Sequence, residues 1–195
     1  MDVVFAVAGT SVPSDNAWPL WLAIERRLPW LATEALAGIH PLRSVPTTYG
    51  VVLLAHRAKL VLRAPQARLR DCLALQGAEL DIAGSALTVG AGRPRALQGS
   101  ATLHAQRVAA ETGDEQEFQA EVTRGLRALG VECRFISGRR RAASAGGREI
   151  AGFALALHGL HPADSLRVQS AGLGGDRRLG WGIFVPAKAI VAAEA

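Results

Sequence analysis

The strongest constraint on this chain is an order of short elements that its sequence runs through twice. Residues 2–8 form an apolar run, with Val3, Val4, Phe5 and Val7, that stops at Gly9 and suits a buried strand. Ser14 or Asp15 can cap a helix over Ala17 to Ala37, whose apolar positions Trp21, Ile24, Leu28, Leu31, Ala35 and Leu36 fall near helical spacing. Pro29 lies inside that window, so the helix is either kinked or split, and Gly38 is its expected stop. Val51–Leu54 and Leu60–Leu62 flank the polar His56-Arg57 and read as a hairpin. Pro65 opens a second helical stretch to Leu75, and Glu79–Ile82 with Ala86–Val89 bracket Gly84 as another hairpin.

The stretch Gly90–Gly99 is rich in Gly, Pro and Arg and is the expected domain boundary. Beyond it the order repeats. A strand over Ala101–Ala109 precedes a helix over Asp114–Leu129, with Phe118, Val122, Leu126 and Leu129 on one face. A strand over Val131–Ile136 leads into a loop that holds Arg139-Arg140-Arg141 and Ala142–Gly147. Then come a strand over Glu149–Gly159, a helix over Pro162–Ala171 and a last strand over Trp181–Pro186. Each half reads β-α-β-β-α-β, the first with a small extra strand, which is the split, ferredoxin-like unit. The expected fold is α+β: tandem ferredoxin-like domains over residues 1–95 and 96–195. That unit hosts many activities, so the fold does not give the function.

Composition removes several classes. With 49% hydrophobic and 20% charged residues the chain can bury a core, which excludes global disorder. Two distant cysteines, Cys72 and Cys133, exclude a disulfide framework and a cysteine-based zinc site, and fit a reducing compartment. The first residues lack the basic and long apolar segments of a signal peptide. No apolar run reaches the roughly 18–20 residues of a membrane helix, so the expected location is cytoplasmic with no membrane partner. The net charge of +5 is almost entirely arginine, since Lys59 and Lys188 are the only lysines. Arginine suits bidentate phosphate contact and points to a polyanion, although a coding bias toward Arg and Ala gives the same composition.

The most specific local signal is Gly172-Leu173-Gly174-Gly175-Asp176-Arg177-Arg178-Leu179-Gly180-Trp181-Gly182, with five glycines in eleven residues. It has no Gly-Lys-Ser/Thr end, which excludes a Walker A loop. It runs helix, glycines, strand, the reverse of a dinucleotide-binding loop. Backbone N–H groups of Gly172, Gly174, Gly175, Gly180 and Gly182 can form a phosphate nest, with Arg177 and Arg178 adding charge. A generic RNA-recognition sheet is poorly supported: Gly152-Phe153-Ala154 fits part of one strand, but the second aromatic is missing and aromatics make up 5% of the chain.

Gly172 to Pro186, with the preceding Gly159-Leu160-His161-Pro162-Ala163-Asp164-Ser165-Leu166, resembles the C-terminal signature of the CRISPR-associated repeat-processing endoribonucleases. These are the "Cas six" branch of the repeat-associated mysterious proteins (RAMPs), and the Myxan subtype is the nearest in pattern. The resemblance runs through the chain, including Phe5-Ala6-Val7-Ala8-Gly9-Thr10 and Gly38-Ile39-His40-Pro41-Leu42-Arg43. It implies a tandem ferredoxin-like pair with a glycine-rich loop before the last strand. It also implies metal-free cleavage of CRISPR precursor RNA within each repeat, leaving a 2′,3′-cyclic phosphate, with no cofactor.

Such cleavage needs a base for the 2′-hydroxyl, an acid for the 5′-oxygen and a cation for the phosphorane. His40 is the first candidate. Past Gly38 it sits at the expected helix end, where the dipole favours a protonated imidazole suited to a general acid. The resemblance puts it where the family carries its catalytic histidine; taken alone it reads first as a loop histidine that caps the helix end. The resemblance also offers Tyr49, the only tyrosine, as an assistant. Arg43 and Lys59 are candidates for phosphate contact. His56 is a second-choice acid or base, and His104 reads as structural. His158 and His161 lack a third ligand, so no metal site is expected. Arg139, Arg140, Arg141 and Arg148 lie where a basic hairpin or loop can straddle an RNA duplex.

The expected partner is CRISPR repeat RNA, as precursor and mature guide, with retention of the 3′ hairpin and CRISPR interference subunits as further partners. Two rivals are a non-catalytic RAMP subunit that binds guide RNA and a small-molecule enzyme that uses the glycine loop for a phosphate.

Overall fold

The computed structural model describes residues 1–46, 50–55 and 57–187. The chain divides into two compact units. One takes Met1–Ala96, Ala143–Glu149 and Arg177–Gly180; the other takes Leu97–Ala142, Ile150–Asp176 and the chain from Trp181.

In the first unit the elements are β1 (Asp2–Ala8), β2 (Ser11–Pro13), α1 (Ala17–Glu25), β3 (Gly38–Ile39), β4 (Ser44–Pro46), β5 (Val51–Leu54), β6 (Lys59–Arg63), α2 (Leu69–Cys72), β7 (Glu79–Ile82) and β8 (Ser85–Arg95). The main sheet runs β3-β6-β1-β8-β7, and β2-β5-β4 form a small second sheet. All pairings are antiparallel. The central strand β1 buries Val3 and Phe5 against Leu60, Leu62, Leu87 and Val89, and α1 adds Leu20, Trp21 and Ile24. Because side chains alternate along a strand, Asp2, Val4 and Ala6 project to the opposite face.

Several local expectations change. The helix expected over Ala17–Ala37 ends at Glu25 and is followed by a single 3-10 turn over Pro29–Ala32. Pro29 has no N–H and its ring clashes with the preceding turn, so the second half cannot continue the first. The N-cap is Asn16, not Ser14 or Asp15; its side-chain amide donates to Pro13 O at 2.9 Å. With the helix already over, Gly38 is no stop but part of β3, opposite Arg63. β5 and β6 do not form the expected hairpin. β5 pairs β2 and β4, while β6 pairs β1 and β3. Period-two patterning specifies a strand but not its partner. The Gly/Pro/Arg stretch is strand as far as Arg95, since β8 pairs β1 down to Asp2↔Arg95. β7 pairs β8 only up to Thr88, so the side of Pro94 away from β1 is open and no ladder N–H is missed there.

In the second unit lie β9 (Thr102–Ala109), α3 (Glu115–Ala128), most of β10 (Arg134–Ala145) and β11 (Arg148–His158), then α4 (Pro162–Ala171) and β12 (Val185–Pro186). Its sheet runs β10-β11-β9-β12. With β7 set aside, both sheets order their strands second, third, first, fourth. Asp114 caps α3 by accepting from the Glu117 N–H at 2.9 Å. Phe118, Val122 and Leu126, four residues apart, then face a core with Leu103, Phe153, Leu155, Leu157 and Phe184. The Phe118 and Phe153 rings lie 4.9 Å apart, tilted by 31°. Arg139-Arg140-Arg141 are not in a loop: β10 runs unbroken through them.

Candidate active site

Cross-strand register builds the site of the first unit. Asp2 on β1 stands opposite Arg63 on β6 and opposite Arg95 on β8. Residues directly opposite share a face, so one carboxylate lies between two guanidinium groups. Arg63 donates through Nε to Asp2 Oδ1 at 2.8 Å and through Nη2 to Oδ2 at 3.3 Å. Arg95 donates to Oδ2 at 3.0 Å. The register puts Lys59 and Arg93 on the same face, opposite Ala6 and Val4. Asp2 is therefore one acid among four cations.

His40 follows β3 directly, and its backbone N–H donates to Val61 O at 2.9 Å, which continues the β3–β6 ladder. Its Nε2 lies 3.5 Å from Asp2 Oδ1, and the side chain is 12% exposed. That nitrogen is buried and makes no hydrogen bond of good geometry, and the Asp2 carboxylate is the charge that faces it. The expected helix end is absent here, and the dipole argument for a protonated ring fails with it. Burial instead lowers the His40 pKa, the Arg63 and Arg95 charges lower it further, and Asp2 works the other way. For Asp2, burial pushes the carboxyl up, but bonding to His40 and Arg63 outweighs this and holds it well below the usual carboxylate range.

The segment Arg177–Gly180 belongs to the same unit. Arg177 is 7% exposed and donates to Leu36 O at 3.3 Å. Burial, with the charge of Arg63, pushes its pKa down to about 10. Arg178 is exposed; its guanidinium stacks over Trp21 at 5.3 Å and donates to Ala32 O at 3.4 Å.

The glycines of the loop divide by surroundings. Gly172, Gly180 and Gly182 are buried, whereas Gly174 and Gly175 are exposed. Gly174 has φ +69°, and a Cβ there would meet Ala109 O at 2.7 Å; a Cβ on Gly182, at φ +63°, would run into Leu173 O. Only glycine fits these two positions.

The other candidates are solvent-facing. Arg43 and Lys59 are exposed, the latter as the first residue of β6. Arg139, Arg140 and Arg141 are exposed along β10, and Arg148 opens β11 exposed. Tyr49 and His56 lie outside the described residues. His104 is half-buried on β9, where burial and then Arg141 lower its pKa. No cluster of three metal-ligating side chains occurs among the described residues. No described helix is long and apolar enough to cross a membrane.

Sequence reasoning missed Asp2, Arg63 and Arg95. The available signal was a charge at the end of each of two apolar runs, Asp2 before Val3–Val7 and Arg63 after Leu60–Leu62, since a charge kept in a buried strand needs a partner.

The Cas6 CRISPR family model matches residues 1–189. The chain is 40% identical over 187 residues to the CRISPR-associated endonuclease Cas6 of Myxococcus xanthus (strain DK1622), covering 95% of this chain and 81% of that one. Among solved structures, a CRISPR associated protein Cas6 superimposes with a TM-score of 0.64 at 13% identity, over 96% of this chain and 99% of the other. A RAMP protein binding different RNA substrates gives 0.66 at 11% identity, over 96% and 100%. The product of a Cas6-related gene from Pyrococcus furiosus gives 0.64 at 11%, over 94% and 97%. The α+β fold is that of the Cas6 and RAMP structures, and the chain belongs to the Cas6 family of CRISPR-associated proteins.

Proposed function

We propose that the protein is a metal-independent endoribonuclease of the cytoplasm that cuts CRISPR precursor RNA once within each repeat. We read residues 1–95 and 96–195 as two ferredoxin-like copies, and the glycine-rich loop as part of that architecture. The observation that carries the reading is His40 held against Asp2 among arginines, in a chain 40% identical to a CRISPR-associated endonuclease.

In the proposed step the 2′-oxygen of the RNA bonds to the adjacent phosphorus and gives its proton to His40. The bond from phosphorus to the 5′-oxygen breaks, its electron pair goes to that oxygen, and the oxygen takes a proton from water. The products are a 2′,3′-cyclic phosphate and a 5′-hydroxyl. A lowered pKa leaves His40 neutral at neutral pH, which suits the base rather than the acid. Nε2 faces Asp2, so Nδ1 is the nitrogen assigned to the proton. Tyr49 is assigned to assist. Arg43, Lys59, Arg139, Arg140, Arg141, Arg148, Gly174, Gly175 and Arg178 are assigned to RNA contact. Arg177, Gly172, Gly180 and Gly182 are buried, and we assign them to holding the loop rather than touching RNA. Retention of the 3′ hairpin, and delivery to an interference complex, follow from such contacts.

The test is the repeat RNA of the host's CRISPR array, labelled, in excess EDTA, beside a copy with one 2′-deoxy group at the mapped cut. One cut in the first and none in the second is expected. His40→Ala should cut more slowly by about 10²- to 10⁴-fold while binding is retained. Cleavage of the deoxy copy overturns attack by the 2′-hydroxyl. Tight binding without a cut moves the reading to a non-catalytic RNA-binding subunit.

A further inference from the structure

Asp2, Arg63 and Arg95 form one row across three strands, and His40 reaches the same carboxylate from beyond the fourth. The two arginines differ in surroundings. Arg63 is 2% exposed and spends both its bonds to Asp2 inside the unit. Arg95 is 58% exposed, with one Nη fixed on Asp2 Oδ2. Each carboxylate oxygen therefore has its own task. Oδ1 takes His40 and Arg63, and Oδ2 takes Arg63 and Arg95. A guanidinium held at one nitrogen keeps several N–H donors for a second planar anion.

We propose that Asp2 is the positioning residue of the cleavage site, and that through it Arg95 is set beside His40 as the cation that holds the scissile phosphate. This rests on the reading of His40 as the group that takes the 2′-proton. Arg95 forms and breaks no covalent bond; it donates hydrogen bonds to a non-bridging phosphate oxygen whose charge grows as the 2′-oxygen attacks. Exposure separates it from Arg63 and Arg177, which are buried, and its bond to Asp2 separates it from the exposed Lys59 and Arg93. Arg93 lies on the same face two residues before it and extends the positive strip along the strand.

The charged groups around His40 are Asp2 on β1, Arg63 on β6 and Arg95 on β8, with the Met1 amino group and Arg177 on the same network. Removing Asp2 and removing Arg95 must therefore move the imidazole in opposite directions. The titration of His40 is read by NMR on the RNA-free protein, its signal identified by loss in His40→Ala. Asp2→Asn should lower the midpoint and Arg95→Ala should raise it. The acidic limb of the single-turnover rate against pH should move the same way in each. At saturating protein Arg95→Ala should cut more slowly by about 10²-fold, with RNA affinity changed only a few-fold, and Arg95→Lys should recover part of the rate. The opposed shifts follow from charge alone, so it is the cutting rate of Arg95→Ala that separates a phosphate-holding arginine from a purely structural one.

If Asp2→Asn does not fold, Arg95→Ala decides alone, since that side chain is mostly in solvent. Arg95→Ala cutting at the wild-type rate overturns the proposal, as does an unmoved His40 titration. Normal cutting by His40→Ala overturns the reading beneath it as well. An inactive His40→Ala protein beside a fully active Arg95→Ala protein overturns this proposal only.

Discussion

In the first unit Arg63 and Arg177 are buried, and Arg95 is tied at its inner end to the same carboxylate as Arg63. In the second, Arg134, Arg139, Arg140 and Arg141 stand in solvent along one strand, and the unit's buried described residues include polar Thr102, Ser165 and Gln169 but no charged side chain. The strand order is the same, so the contrast does not come from topology. It comes from where charge falls in the pleat. Asp2 on the central strand gives Arg63 and Arg95 a shared partner; among the described residues of the second unit no acid is buried. Arginine count therefore says little about function until each side chain is sorted by burial. A buried arginine costs desolvation and needs a built partner, whereas an exposed one is available to a polyanion.

The sharpest way to break this contrast is Arg63→Ala. It leaves Asp2 buried with a poorer set of donors and should cost about 3–5 kcal/mol, read by denaturant unfolding. A loss under about 1 kcal/mol would mean the network is surface chemistry after all. The pH dependence comes next. The His40 pKa is lowered on folding, so the unfolded chain takes the proton first and stability falls as pH drops below the ordinary 6.5. Asp2 is also lowered, so its contribution is present above the ordinary 3.8 and lost below it. Stability of the wild type minus that of His40→Gln should shrink on acidification through the first range and change little above it. Smallest in stability is the triple replacement Arg139→Ala, Arg140→Ala, Arg141→Ala, expected within about 0.5 kcal/mol of the wild type. The same variant should flatten the salt dependence of RNA binding by about 2–3 in slope, and an unchanged slope would remove these residues from the RNA path.

What could be read from the sequence was mostly local. Pro162 at the start of α4, and Asp114 with Phe118, Val122 and Leu126 in α3, mark helices through caps and spacing that a few residues carry. The β7–β8 hairpin is equally local, turning at Ala83-Gly84 with φ +49° and +86°. Apart from the helix that Pro29 cuts short and its cap at Asn16, the failures involve long-range pairing. β5 and β6 read as each other's partners because nothing nearby names the true ones, and β8 read as linker beyond Val89 because its support is β1, at the far end of the unit's sequence. The site divides in the same way. His40 entered through a family likeness, while its chemical setting was invisible, since Asp2 lies 61 residues from Arg63 and 93 from Arg95. Arg177 looked like a phosphate ligand because a glycine-rich segment implies openness; only the packed loop reveals that its side chain turns inward.

That packed loop changes what its glycines can report about ancestry. Gly174 closes onto Ala109, and Gly182 onto Leu173, so a side chain at either would have to displace backbone. A descendant that lost His40 would still need both, and one that kept His40 but gained a methyl group at position 182 would lose its architecture before its chemistry. The two glycines thus report on the scaffold, which would need them whether or not the chain cuts RNA.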